Sequence, residues 1–397
     1  MKYFFFIFFV FFLLSTSISK NTFGNEIQVN LIRLKNDPEH KTTKGYAGYI
    51  LEKKYPLNRS VLMAIKENKF KLNSLNIKIN LSEHLINNLD EFFTKISGLK
   101  KGSLIILDIP EKLMEKIIKK IPEDFAFINP RNSKNIFRKE LCKKNLFNLI
   151  PSDKMYTDAL AQFLVSKNWK NVLVIFGPQK KDKNKLLSFL ESSKKYKINI
   201  VEKKQFALSK NPEDRKKNNP KLLTKSNTYN TIVIFDDFGE FSRNLPYNTF
   251  YPTPILGDIG LSPRAWHWAW ERNGAPQLNK RFKKDTFGLP LEKKNRPMQD
   301  SDWAGWLTIK ILLESLKNKK TFKDLDFLKL LNNPRLSVDM YKGKVGSFRD
   351  WNNQLRQPIL LATHNAVIKK MPDKKFLHKE FDEDTLGFDS NENKCEF

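Results

Sequence analysis

Residues 157–206 read TDALAQFLVSKNWKNVLVIFGPQKKDKNKLLSFLESSKKYKINIVEKKQF. The segment changes period repeatedly. TDALAQFLVSKNW (157–169) and KNKLLSFLESSKKY (183–196) space their apolar residues as helices do, whereas KNVLVIFG (170–177) and INIVEKKQF (198–206) are short runs of strand type. Helix and strand taking turns specify a parallel sheet with helices on both faces. In such a sheet the loops at the carboxyl ends of the strands form the binding crevice.

The same rhythm extends in both directions. Upstream, EIQVNLIRL (26–34) and NIKINL (76–81) read as strands, and LSEHLINNLDEFFTKIS (81–97) as a helix with Leu85, Leu89 and Phe92 on one face. GSLIILDIP (102–110) is a buried-type strand ending at Asp108, followed by a helix over EKLMEKIIKKI (111–121) and the strand FAFIN (125–129). Downstream, a polar loop separates the opening segment from the strand TIVIFDD (231–237). An amphipathic helix over SDWAGWLTIKILLESL (301–316), a shorter one near 324–333 and a late hairpin after Ser337 complete the pattern. The fold class is α/β, and the two halves repeat one architecture. With 397 residues the chain accommodates two domains of ordinary size.

The first residues, MKYFFFIFFVFFLLSTSISK, place Lys2 before an apolar run and then small polar residues. This is the layout of a secretory signal over residues 1–19 with cleavage after Ser19, so an exported protein is expected. The run is too short for an ordinary membrane span. The formal net charge is +28, but it is mostly Lys scattered along every segment. With no Arg-rich arm, zinc-finger spacing or RNP-like aromatic run, it reads as a solvated basic surface, with no nucleic-acid partner. Cys142 and Cys395 form an even pair that an oxidising compartment would bridge or leave as two thiols.

Catalytic signatures are lacking: there is no G-x-S-x-G, H-E-x-x-H, P-loop or G-x-G-x-x-G after a strand, and no enzyme is expected. Two other clusters stand out. In LSPRAWHWAWERNG (261–274) three of the seven Trp surround His267. Ser262, Pro263 and Asn273-Gly274 predict a short helix over 263–272, which packs Trp266 and Trp270 inward or offers His267 and Trp268 to a ligand cleft. Asp236, Asp237 and Asp258 end strands and Asp302 begins a helix, so they either gather at one cavity or cap local turns. A hard cation such as calcium or a lanthanide would suit gathered carboxylates, while Arg131 and the aromatics would suit an organic anion. Asp382, Asp384, Asp389 and Glu392 depart from EF-hand spacing and read as a solvated acidic tail.

Several segments together resemble the periplasmic substrate-binding proteins of ABC transporters with the type I, branched-chain amino-acid binding fold. They are PSDKMYTDALAQFLVSKNW (151–169), LPYNTFYPTPILGDIGLSPRAWHWAWERNGAPQLNKRF (245–282), RPMQDSDWAGW (296–306), FRDWNNQLRQPILLA (348–362), FLH (376–378) and DTLGFD (384–389). They are most similar to the subgroup associated with PQQ-dependent alcohol dehydrogenase systems. The resemblance implies two doubly wound Rossmann-like lobes joined by three crossovers near 145–151, 250–258 and 333–343, closing on a solute by hinge motion and docking on a membrane permease. It places 25–145 and 255–333 in the first lobe, 146–254 and 334–380 in the second, and an acidic tail over 381–397. It further implies a monomer, a Cys142–Cys395 disulfide, no cofactor, and a PQQ-dependent dehydrogenase as an alternative partner. Carried over by position, the cleft residues are Asp108, Asn129, Arg131, Tyr156, Asp237, Asp258 and Trp303. The loops LDIPEK (107–112) and INPRNSKN (128–135) lack the paired Ser/Thr that hold an amino acid in this family, which argues against an amino-acid ligand.

Overall fold

The computed structural model of the chain describes residues 25–45, 48–51, 53–209, 211–284, 295–392 and 394–395. The signal at 1–19 lies outside the described residues. Strands β1 (Asn25–Leu34), β2 (Ile77–Ile86), β3 (Leu104–Asp108), β4 (Ala126–Asn129) and β5 (Leu146–Asn148) form a parallel sheet in the order β2-β1-β3-β4-β5. Helices α1 (Asn58–Glu67), α2 (Lys69–Ser74), α3 (Leu89–Ser97) and α4 (Glu111–Ile118) connect its first four strands. A second parallel sheet, ordered β7-β6-β8-β9, is built from β6 (Asn171–Phe176), β7 (Asn199–Gln205), β8 (Thr231–Phe235) and β9 (Ile255–Gly257). Its helices are α5 (Asp153–Ser166), α6 (Lys180–Lys195) and α7 (Pro220–Leu223).

The central strands β3, β4, β6 and β8 are buried on both faces, which is why they read as continuous apolar runs, whereas the edge strands β2 and β7 are half-exposed and do not. In β3, Leu104 and Ile106 face one core while Ile105 and Leu107 face another. In β6, Val172 and Val174 join one core and Leu173 and Ile175 its opposite. The chain then returns. After β10 (Ser262–Arg264), helices α8 (Ala275–Lys284), α9 (Asp300–Leu316) and α10 (Phe327–Leu331) cover the first sheet, and α1 packs on α9. The pair β11 (Val338–Asp339) and β12 (Val345–Gly346) follows, and then the hairpin β13 (Ile359–Ala362) and β14 (Val367–Met371), which pairs with β10 and contributes Ile359, Leu361 and Met371 to the second lobe's core.

Four expectations are corrected. The helix expected from Leu81 begins only at Leu89, because β2 stays paired with β1 through Ile86 and the Asn88 side chain caps Glu91 N–H. No helix spans 263–272. Ser262–Arg264 is instead an edge strand on β13, where the missing N–H of Pro263 costs nothing, and Asn273 and Gly274, both at positive φ, lead into α8 instead of ending a helix. Leu336, Val338, Met340 and Leu355 pack into the first lobe's core, so the third crossing falls near 355–358 and not at 333–343. The tail is not a solvated acidic strip. Asp384 is buried against Arg349 and Arg356, Leu386 and Phe388 are buried, and Cys395 is bonded to Cys142 with their Cα atoms 5.5 Å apart.

Two buried cations tie the crossings together. Arg138 donates from Nε to Gln354 Oε1 (2.8 Å) and from its terminal nitrogens to the carbonyls of Asn132 (2.7 Å) and Ile150 (2.6 Å). Gln354 in turn donates to the carbonyls of Asn148 and Ile150. Lys342 donates to the carbonyls of Ala265 (2.8 Å) and Pro358 (2.9 Å) and to Gln357 Oε1 (2.8 Å). With carbonyl dipoles as its immediate hydrogen-bond partners, burial holds the Lys342 ammonium well below the usual lysine range.

Candidate functional site

The carboxyl ends of both parallel sheets carry charge, and the charges meet. On the first lobe, β3 ends at Asp108, β4 leads through Asn129 to Arg131, and the loop after β1 supplies Asp37, Glu39 and His40. The Arg131 guanidinium lies 2.7 Å from Asp108, 2.8 Å from Asp37 and 2.9 Å from Glu39, with its side chain 1% exposed. Burial alone would lower the Arg131 pKa, but Asp108, Asp37 and Glu39 outweigh it and hold the cation more firmly than usual. Asp108 also accepts Leu57 N–H at 3.0 Å, fastening the end of the loop where α1 begins. Asn129 is fully buried, its amide donating to Asn132 O and Asn148 Oδ1 while its oxygen accepts Asn132 N–H, so it sets the turn that presents Arg131.

On the second lobe, the first turns of α6 bring Lys181 and Lys185 over the ends of β8 and β9. Lys185 Nζ is 2.9 Å from Asp258 and 3.6 Å from Asp237, and Lys181 is 3.4 Å from Asp237. Burial would lower the Lys185 pKa, but Asp258 and Asp237 overcome it and raise it. Among the described residues Asp182 forms no ion pair, and Lys185 only partly offsets its burial. Asp182 accepts Asp237 N–H (2.7 Å) and Gln179 N–H (3.1 Å), and burial pushes its carboxyl up to about 6. Asp236 accepts Gly239 and Ser242 N–H, and its own N–H goes to Asp258.

Side chains of the two lobes touch across the cleft. Glu39 accepts from Lys181 at 2.8 Å while also pairing with Lys54 at 2.8 Å. Burial would raise the Glu39 pKa, yet Lys54, Arg131 and Lys181 pull it far below the carboxylate range. Farther along the loop from β1 to α1, the Tyr49 ring lies 4.5 Å from the Arg243 guanidinium, which also donates to Ile50 O.

Asp108, Asp237 and Asp258 lie at the strand ends where the sequence placed them, and Arg131, carried over by the resemblance, lies two residues past β4; each has a charged partner. Tyr156, at the start of α5, is held well above the usual phenol range by burial and then by Asp300. Trp303 is no cleft wall: it is fully buried in the first lobe's core, its ring stacked on Trp266 at 6.1 Å. Trp266 is therefore core, Trp270 is half-buried with its indole N–H on Tyr341 O, and Trp268 is 44% exposed beside His267. Burial, then Arg264 and His364, lowers the His267 pKa to about 4. Among the described residues no three His, Cys, Asp or Glu side chains converge as metal ligands, and Asp302 is taken by Arg296 and by Gln299 N–H. The sequence reading missed Asp37, Glu39, Lys54, Lys181 and Lys185. The acidic KNDPEH (35–40) directly after the first strand is the signal that could have found two of them.

The sequence profile of the family described as "Receptor family ligand binding region" matches residues 133–245. No curated protein sequence matches the chain. Solved structures do. An ABC transporter substrate-binding protein from Desulfitobacterium hafniense superposes with a TM-score of 0.64 at 12% identity, over 87% of this chain and 100% of its own. A leucine-, isoleucine-, valine-, threonine- and alanine-binding protein from Brucella ovis, in a closed conformation, gives 0.62 at 12% identity over 94% and 97%. A solute-binding protein from R. palustris in complex with benzoate gives 0.60 at 13% identity over 88% and 98%. The chain has the fold of the type I periplasmic binding proteins.

Proposed function

We propose that this chain is the periplasmic solute-binding component of an ABC-type transporter, and that its solute is a small organic molecule carrying a carboxylate. The observation that carries this reading is the Glu39–Lys181 contact at 2.8 Å, with Lys185 and Asp237 beside it, at the carboxyl ends of both sheets. A ligand carboxylate entering there exchanges with Glu39 or Asp237 for the two lysines, and charge-assisted bonds repay the exchange. The ligands named for the neighbours, Leu-type amino acids and benzoate, share a carboxylate. The resemblance of residues 245–282 and 296–306 to the subgroup tied to PQQ-dependent alcohol oxidation narrows the choice to the acids formed from alcohols or to PQQ itself.

One observation favours a second reading, an accessory protein that binds a PQQ-dependent dehydrogenase: the cleft charges are already matched by one another. Thermal unfolding of the mature chain against short-chain acids, PQQ, amino acids, calcium and a lanthanide separates the two. A solute at about 100 times its dissociation constant stabilises by about 2.7 kcal/mol. A shift with an acid or PQQ that Lys181→Met abolishes supports the solute reading. A shift with metals alone replaces it with a cation binder, and no shift at all leaves the accessory role.

A further inference from the structure

The segment carrying Asp384 to Glu392 and then Lys394 and Cys395 leads from the second lobe to the first. Thr385 O accepts from Tyr196 Oη (3.0 Å) and Lys195 Nζ (3.1 Å), and Gly387 N–H donates to Asp158 (2.8 Å), which anchors the segment on α5 and α6. Just before these anchors, Asp384 receives Arg349 Nε at 2.8 Å and Arg356 Nε at 2.9 Å, while Arg349 also donates to the carbonyls of Glu383 and Leu386. Arg356 lies in the stretch that makes the third crossing, and Arg349 leads into it. Trp351 donates its indole N–H to Phe388 O there. The segment then reaches the first lobe, where Lys394 N–H donates to Lys139 O (3.1 Å) and Cys395 is bonded to Cys142.

We infer that residues 381–395 form a fourth, covalently closed link between the lobes, a strap beside the hinge that limits how far they move. Three crossings through the hinge leave lobe rotation governed by a few backbone torsions. A strap fixed on one lobe by the Asp158 and Tyr196 bonds, at the crossing by two arginines and on the other lobe by a disulfide must lose one of those attachments for the lobes to swing apart. The acidic composition of this segment follows from that role, since Asp382 pairs with Lys344 at 2.6 Å and Asp384 with two arginines. The inference concerns motion and goes beyond the solute reading. Its test needs no ligand, so either idea can fail alone.

The experiment is hydrogen exchange on the whole mature chain, oxidised, reduced with a phosphine, as Cys142→Ser/Cys395→Ser, and as Asp384→Asn with the disulfide intact. Small-angle scattering is recorded on each. The amides of Asp153 and Lys154 report lobe separation, because they donate across the lobe boundary to Ser133 O (2.8 Å) and Asn135 Oδ1 (2.9 Å). Ile106 and Val233, inside the two sheets, report each lobe's own stability. Reduction is expected to speed exchange at Asp153 and Lys154 by about tenfold while Ile106 and Val233 hold, with a larger radius of gyration, and Asp384→Asn to do the same more weakly in the oxidised protein. Unchanged rates at the boundary amides, or equal acceleration at all four, overturns the strap and leaves the disulfide as a general stabiliser only.

Discussion

Arg131 has three carboxylates around one guanidinium, an excess of negative charge tolerable only because more cations stand behind. Arg33 lies 3.6 Å from Asp108, and Lys54 and Lys181 both pair with Glu39. Removing the central cation with Arg131→Met keeps most of the stem's packing but leaves Asp37 and Asp108 buried without their closest partner. Breaking a buried pair from one side costs about 3–5 kcal/mol, so the urea midpoint of this variant should fall by that amount divided by the m-value. A loss under about 1 kcal/mol would mean that the outer cations or a bound proton replace Arg131. Asp108 is legible as the end of a buried-type strand, but Asp108 and Arg131 read as cleft residues only through the family resemblance. Lys181 and Lys185 are not legible: among 71 Lys and Arg, nothing in the local pattern separates a cleft lysine from a solvated one.

At the scale of elements, the short apolar runs reveal the central strands because both of their faces are buried. The Trp-rich stretch misled for a physical reason: Ser262, Pro263 and Asn273-Gly274 are helix-boundary residues, and they serve equally well as an edge strand and a turn leading into α8. Pairing with β13, 96 residues later at Arg264↔Leu360 and 100 residues later at Ser262↔Ala362, is a long-range fact that local spacing does not contain. The end of β9 offers a sharper test. Gly257 has φ +115, and a Cβ there would sit 2.1 Å from Ile234 O, the carbonyl that also accepts Asp258 N–H. Gly257→Ala must therefore shift the backbone that carries Asp258. A destabilisation of at least about 2 kcal/mol in denaturant unfolding is expected, since the strained φ and the backbone clash add. A neutral variant would show that this strand end relaxes freely and does not hold Asp258 in place.

At the scale of the whole molecule, alternation announces two parallel sheets, but how the lobes share the later chain depends on which core each return segment joins. Leu336 to Met340 and Leu355 go to the first lobe and Ile359 onward to the second, a division made by packing and not by any break in composition. Charge is the other property that only the whole chain has. A formal net charge of +28 spread over both lobes repels itself, and long-range repulsion is screened once the Debye length falls to about 8–10 Å near physiological salt. The paired charges respond differently by depth. Arg131 and its carboxylates are shielded from salt by burial, whereas exposed pairs such as Lys100–Asp324 and Lys101–Asp124 contribute little to begin with. Net repulsion should therefore dominate the salt response, and the thermal midpoint should rise by about 2 °C or more as sodium chloride goes from roughly 10 to 300 mM. A midpoint that falls over that range would mean the reverse: that attraction between surface ion pairs exceeds the repulsion, and that the lysines, although scattered in sequence, are matched in space.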